Sequence, residues 1–216
     1  MLAVIVQKIT ESTILNTKEM SQEIINLEWT ELTSTSEIEF PTENKSGIYL
    51  WGFSIDNEFV PYYVGIAGNV FSRIMEHVNF IIGGKYVIYH CDSLLNFTDF
   101  KNQEININGT SGKIYSPNWP RNYKSFINNR KNLQRHIDFM VDSFMFSYAT
   151  VDKERISKKD LKEIEKICIN QIGKENLQNT KSGFSNRFNI NHCGDEKVIR
   201  KIKQQTANNK YTAFGR

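Results

Sequence analysis

At 216 residues and a net charge of +3, the chain is long enough for one domain with a real core, and its charge permits nucleic-acid binding without demanding it. Its 39% hydrophobic and 24% charged residues are those of a soluble globular protein. Three cysteines, Cys91, Cys168 and Cys193, with no CxxC pair, argue against a disulfide framework and a structural zinc site and read as a reducing, cytoplasmic setting.

Residues 1–45 read as an N-terminal extension. Leu2-Ala3-Val4-Ile5-Val6 is apolar but stops at Gln7-Lys8, too short for a signal-peptide core or a membrane span, and predicts a short buried strand. A helix is expected around Lys18–Leu27, with Met20, Ile24, Ile25 and Leu27 apolar. Residues 46–67 predict a hairpin: Ser46–Ile55 and Phe59–Ala67 are rich in aromatic and β-branched residues around Asp56-Asn57. A three-residue loop, Ile55-Asp56-Asn57, would set Tyr49 opposite Tyr63 on one face, whereas a two-residue loop would put them on opposite faces. The three-residue loop is the expectation. A helix over Val70–Phe80 follows, with Asn69 as N-cap and Phe71, Ile74, Met75 and Val78 as its apolar stripe.

Residues 81–141 read as an insertion, with a strand over Lys85–His90, a turn-rich Gly109–Pro120, and a helix over Tyr123–Val141. Phe144–Val151 predicts a strand and Ser157–Ile172 a helix capped by Ser157. The basic tail, 191–216, is expected to begin its Lys197–Arg216 stretch as a helix.

Two features stand out as poor choices for packing. On the last helix, Leu161, Ile164, Cys168 and Ile172 define a buried stripe; Glu165 falls within it and Glu163 opposite. A carboxylate on a core face must be paired, hydrogen-bonded or metal-bound. Arg73 and His77, four apart, fall on nearly the opposite side of their helix from its apolar stripe. On periodicity alone that is a solvated face, unless it lines a groove. There arginine suits a phosphate and histidine a proton.

The order Gly47-Ile48-Tyr49, Tyr63-Val64-Gly65, Arg73, His77 and then Glu165 resembles the GIY-YIG nuclease superfamily, with its restriction-endonuclease-like members nearest in organisation. The resemblance covers 47–80 and 144–185, so that 46–190 reads as the nuclease domain. Of the asparagines after Glu165, Asn179 is favoured as the family's terminal asparagine and Asn176 is the runner-up. Two departures are the fourteen-residue spacing of the tyrosines and the large insertion. The resemblance implies an α+β fold whose core is a three-stranded antiparallel sheet flanked by helices. It implies one divalent cation, magnesium, held by Glu165 and waters. Tyr49 would orient or deprotonate a water with His77 assisting, Arg73 would neutralise the scissile phosphate, Tyr63 would position an oxygen, and Asn179 would brace the site. The implied activity is sequence-specific hydrolysis of double-stranded DNA. The alternatives are a non-catalytic nucleic-acid-binding module on the same core, or a repair or mobile-element nuclease. Trp119, Arg121, Lys124, Arg130, Lys131 and Arg135 are candidates for the DNA-reading surface, and a homodimer would match a palindromic target.

Overall fold

The computed structural model describes residues 22–37, 45–94, 108–118, 123–151, 155–173, 177–179, 181, 183, 185 and 187–203. In chain order they form β1 (Glu23–Trp29), β2 (Thr33–Ser34), a short 3-10 turn, β3 (Gly47–Ile55), β4 (Glu58–Ala67), α1 (Val70–Ile82), β5 (Ile88–Tyr89), α2 (Cys91–Leu94), β6 (Lys113–Tyr115), α3 (Tyr123–Asp142), β7 (Phe144–Thr150), α4 (Lys158–Ile172) and β8 (Phe188–Gly194). Residues 196–203 form a further helix. The expected strand over 2–6 lies outside the described residues.

The fold is α+β around an antiparallel sheet of order β2-β7-β3-β4. It has four strands rather than the three expected, because two residues of β2 add to the free edge of β7. The central strand β3 is covered on both faces, which is why its sequence is nearly continuously apolar. Tyr49, Trp51, Phe53 and Ile55 enter a core shared with α1 and α3. Ile48 and Leu50 point the other way, into a core shared with α4, β1 and β8.

The hairpin turn has two residues, not three. Ile55 pairs with Glu58, and Asp56 and Asn57 both take positive φ (49° and 63°), as tight hairpin turns of this length require. That turn alone would send Tyr49 and Tyr63 to opposite faces. A β-bulge corrects it: Gly52 pairs with Pro61 and Trp51 with Tyr63, leaving Tyr62 as the extra residue. Tyr62 and Tyr63 consequently both pack on the face carrying Tyr49, while Val64 packs on the opposite one.

The expected helix around Lys18–Leu27 is replaced, from Glu23 onward, by a strand. Ile25, Leu27 and Trp29 alternate into the core with exposed Asn26 and Glu28 between them, the period of two that marks a strand. β1 pairs in parallel with β8. Neither expected boundary, 45/46 or 190/191, therefore separates packing units. β8 runs across the second, and Val198 and Ile202 of the supposed tail are buried in the same core as Leu27 and Trp29. No helix among the described residues is long and apolar enough to cross a membrane.

Candidate functional site: a tyrosine–histidine chain beside a lone carboxylate

Helix α1 starts where expected. The Asn69 side chain accepts from Ser72 N–H at 3.1 Å, capping an amide that has no partner within the helix. Its buried face differs from the expected stripe. Val70, Ile74, His77, Val78 and Ile81 face inward, a rotation of roughly 70° at 100° per residue. Val70 and Ile81, at the helix ends, pull the face round. His77 is therefore buried, at 1% exposure, and Arg73 sits at the edge of that face with a partly exposed side chain.

His77 lies between two phenols. Its Nε2 is 2.9 Å from Tyr49 Oη and its Nδ1 is 2.5 Å from Tyr86 Oη. The Arg73 guanidinium lies against the Tyr49 hydroxyl, and its Nη1 donates to Glu76 Oε2 at 2.5 Å. Arginine only donates, so Tyr49 Oη accepts from that side and its own proton goes to His77 Nε2. The network thus assigns the proton on His77 to Nδ1, which donates to Tyr86 Oη. The resulting chain runs Arg73, Tyr49, His77, Tyr86.

Packing holds this chain in place. Trp51 lies with its ring centroid 5.3 Å from that of His77 and stacks at 6.0 Å on Tyr86. Tyr63 completes the ring cluster, 6.4 Å from Tyr49 and 5.6 Å from His77 between centroids. Gly65 pairs directly with Tyr49 across the hairpin, and a Cβ there would overlap the Tyr49 hydroxyl. The second glycine of the sequence motif is thus the floor over which Tyr49 lies.

Tyr86 was not among the sequence candidates. It reaches His77 because the chain doubles back after α1. Gly83 N–H bonds Asn79 O at 2.8 Å, Gly84 takes a φ of 64°, and Lys85 N–H bonds Phe80 O at 2.8 Å. The Gly83-Gly84 pair, a helix-stop signal, was the available hint.

Burial sets the electrostatics. It pushes the Tyr49 phenol well above its ordinary value, against the pull of Arg73, and the Tyr86 phenol to about 12. Burial, with the Arg73 charge, pushes His77 down to about 3, so its imidazole is neutral at physiological pH. Burial also works against the charge on Arg73, but its bonds to Glu76 and Tyr49 outweigh that and hold the guanidinium firmly protonated.

Helix α4 is closed at its start by a reciprocal pair: Ser157 Oγ accepts from Asp160 N–H and the Asp160 carboxylate from Ser157 N–H, each at 3.2 Å. Glu165 flanks the buried face of this helix. Burial raises its pKa, opposed by Lys162 and Lys166. Its charge in turn raises the Tyr63 phenol, whose upward shift comes first from burial, so the carboxylate and that phenol share one electrostatic space. Glu165 makes no side-chain hydrogen bond or ion pair with any described residue. A half-buried carboxylate whose oxygens no described residue claims is a fitting ligand for a hard divalent cation, whereas Glu76 is already held by Arg73.

Asn179 meets the outer edge of β4. Its Oδ1 accepts from Val64 N–H at 2.9 Å and its Nδ2 donates to Val64 O at 2.7 Å, while Gln178 N–H bonds Tyr62 O at 2.8 Å. The side chain mimics the next strand of the sheet and fixes the residue between Tyr63 and Gly65. Asn176 lies outside the described residues.

Trp119 and Arg121 also lie outside the described residues. Lys124, Lys131 and Arg135 recur at helical spacing along one exposed face of α3, whereas Arg130 points elsewhere, 5.8 Å from the Phe126 ring centroid. Arg135 is tied to Asp92 at 2.8 Å. His192, next to Cys193 in sequence, has both ring nitrogens taken, by Trp29 Nε1 at 3.0 Å and Gln171 Oε1 at 2.8 Å.

No family model, curated protein or solved structure matches the chain.

Proposed function

We propose that the chain is a divalent-metal-dependent endonuclease of the GIY-YIG type that hydrolyses phosphodiester bonds in double-stranded DNA. The observation that carries this reading is the hydrogen-bonded run Tyr49–His77–Tyr86 with the Arg73 guanidinium against Tyr49, together with a half-buried Glu165, unpartnered among the described residues, whose charge reaches Tyr63. A permanent guanidinium, two phenols and a neutral imidazole in one cluster can hold a phosphate and move a proton.

Arg73 takes a non-bridging oxygen of the scissile phosphate, offsetting its charge. A water attacks phosphorus in line. Its proton passes to Tyr49 Oη as the Tyr49 proton moves to His77 Nε2, and the phosphorus–oxygen bond opposite breaks to leave an alkoxide that is protonated by solvent. Tyr86 steadies the imidazolium through Nδ1–H. Negative charge from the phosphate offsets the push of Arg73 on His77, which raises the affinity of the imidazole for that proton when substrate is bound. Glu165 and waters would hold a magnesium ion, which when bound would neutralise charge developing on the phosphate. Tyr63 lies between Glu165 and Arg73 in electrostatic terms and would orient the water or an oxygen.

The α3 face bearing Lys124, Lys131 and Arg135 supplies phosphate contacts to the DNA. Restriction-type cleavage of a palindrome requires two such sites related by two-fold symmetry. The test is incubation of supercoiled plasmid and genomic DNA with the protein, with magnesium or with chelator, followed by sequencing of the cut ends. Magnesium-dependent nicking at recurrent sequences supports the reading. Inertness across varied DNA in magnesium overturns it.

A further inference from the structure

Outside the tyrosine–histidine chain, the insertion brings together residues whose chemistry the proposed reaction does not use. β5 ends at Tyr89; His90 follows, and Cys91 opens α2. His136 projects from the buried side of α3 toward them, and the two imidazoles lie 4.7 Å apart between centroids. One ligand atom from each of His90, Cys91 and His136 falls within 4.8 Å of the others. A carboxylate lies beside the group: Asp92 Oδ1 is 3.5 Å from Cys91 Sγ and Oδ2 is 4.0 Å from His90 Nδ1.

We propose that His90, Cys91, His136 and Asp92 form a structural zinc site that staples β5 and α2 to α3. One observation points to a ligand rather than to packing. His90 Nδ1 is buried with no hydrogen-bond partner, a costly state for a ring nitrogen that a metal ion would relieve. The Cys91 N–H donates to His136 Nδ1 at 3.1 Å, which fixes that nitrogen as unprotonated and turns the imidazole toward the Cys91 end of the cluster.

The donor set selects the metal. A thiolate with two imidazoles suits zinc, whereas magnesium demands oxygen ligands. Asp92 Oδ1 already accepts from Arg135 Nη2 at 2.8 Å, which leaves Oδ2 for the metal and orients the carboxylate. The cluster joins α3 to a two-residue strand and a four-residue helix that otherwise meet it through the apolar core of Ile88, Tyr89 and Leu94. Its ligands are split as three consecutive residues, His90 to Asp92, and one 45 positions beyond Cys91, a spacing that no short motif reveals.

The test uses the full chain, stripped with chelator and titrated with zinc and separately with cobalt(II). One equivalent of zinc should bind, and the thermal midpoint should rise with zinc and fall on chelation, with magnesium unable to substitute. Cobalt should give the visible absorption of a tetrahedral site and a thiolate charge-transfer band. Cys91→Ser should lose that band, and Cys193→Ser should keep it. His90→Gln, at a residue only partly buried, gives a second variant should Cys91→Ser fail to fold, and it should weaken zinc binding while keeping the helical circular dichroism of the parent. No stoichiometric zinc, a midpoint unmoved by zinc, or a charge-transfer band that survives in Cys91→Ser would overturn the site.

Discussion

Burial of His77 as a neutral imidazole makes part of the protein's stability depend on pH in a direction that can be computed. Its folded-state pKa is about 3 against 6.5 in an unfolded chain, lowered first by burial and then by Arg73. The unfolded chain therefore takes up a proton that the folded one refuses, so the contribution is fully present above pH 6.5 and is lost as pH falls toward 3. Between pH 7 and pH 5 the unfolded state gains about 1.5 pH units of protonation that the folded state lacks, worth about 2 kcal/mol at 1.36 kcal/mol per unit. Replacing His77 by Gln removes this titration while leaving that of every other group. Urea unfolding of wild type and His77→Gln at pH 7 and pH 5 measures the difference of differences. Glu37, Glu58 and Asp160, whose pKa values are lowered, also lose stability on acidification, but equally in both proteins. Wild type should lose about 2 kcal/mol more than the variant over this interval. Equal losses would show that His77 titrates normally and is not held between the two phenols.

Three further substitutions probe the same cluster. Gly65→Ala forces a methyl group into the Tyr49 hydroxyl, and should cost about 1–3 kcal/mol in urea unfolding and cut plasmid cleavage by about 10²-fold or more. Asn179→Ala strands the buried N–H and C=O of Val64, and should lower unfolding free energy by about 2–4 kcal/mol, with cleavage falling as the edge of β4 loosens. Tyr86→Phe deletes one acceptor without changing shape; calorimetry should show a stability change of about 1 kcal/mol, while the cleavage rate drops by roughly 10²-fold. Retention of full cleavage by Tyr86→Phe would remove Tyr86 from the proton path.

What was legible in the sequence was what local chemistry decides. The Asn69 cap, the Ser157–Asp160 box and the α4 stripe each depend on residues within a turn or two of one another. The hairpin shows how a correct spatial expectation can rest on the wrong local reason. Tyr49 and Tyr63 share a face, but through a bulge at Tyr62 rather than a longer turn. Pro61 within a strand was the overlooked sign, since proline is confined to edges and bulges. His77 was misplaced because the helix was read two residues short, omitting Ile81, and because Val70 was not counted in its face. The β1–β8 pair joins residues 165 apart, a distance over which no propensity speaks, and the alternation of Ile25, Leu27 and Trp29 was overlooked when the segment was read as a helix. Tyr86 depends on where a glycine turn delivers the chain, which spacing alone does not give.

Everything proposed for catalysis turns on Glu165 being a metal ligand rather than a structural carboxylate. Glu165→Gln keeps the shape and deletes the charge. Burying that charge, unpartnered among the described residues, is unfavourable, as the raised pKa reflects, so the variant should be as stable as wild type or more so. Its single-turnover nicking of supercoiled plasmid in magnesium should fall by roughly 10³-fold, the scale of losing a preorganised charge at the reacting phosphate. A Gln variant that nicks at the wild-type rate, or one that loses several kcal/mol of stability along with its activity, would contradict the account.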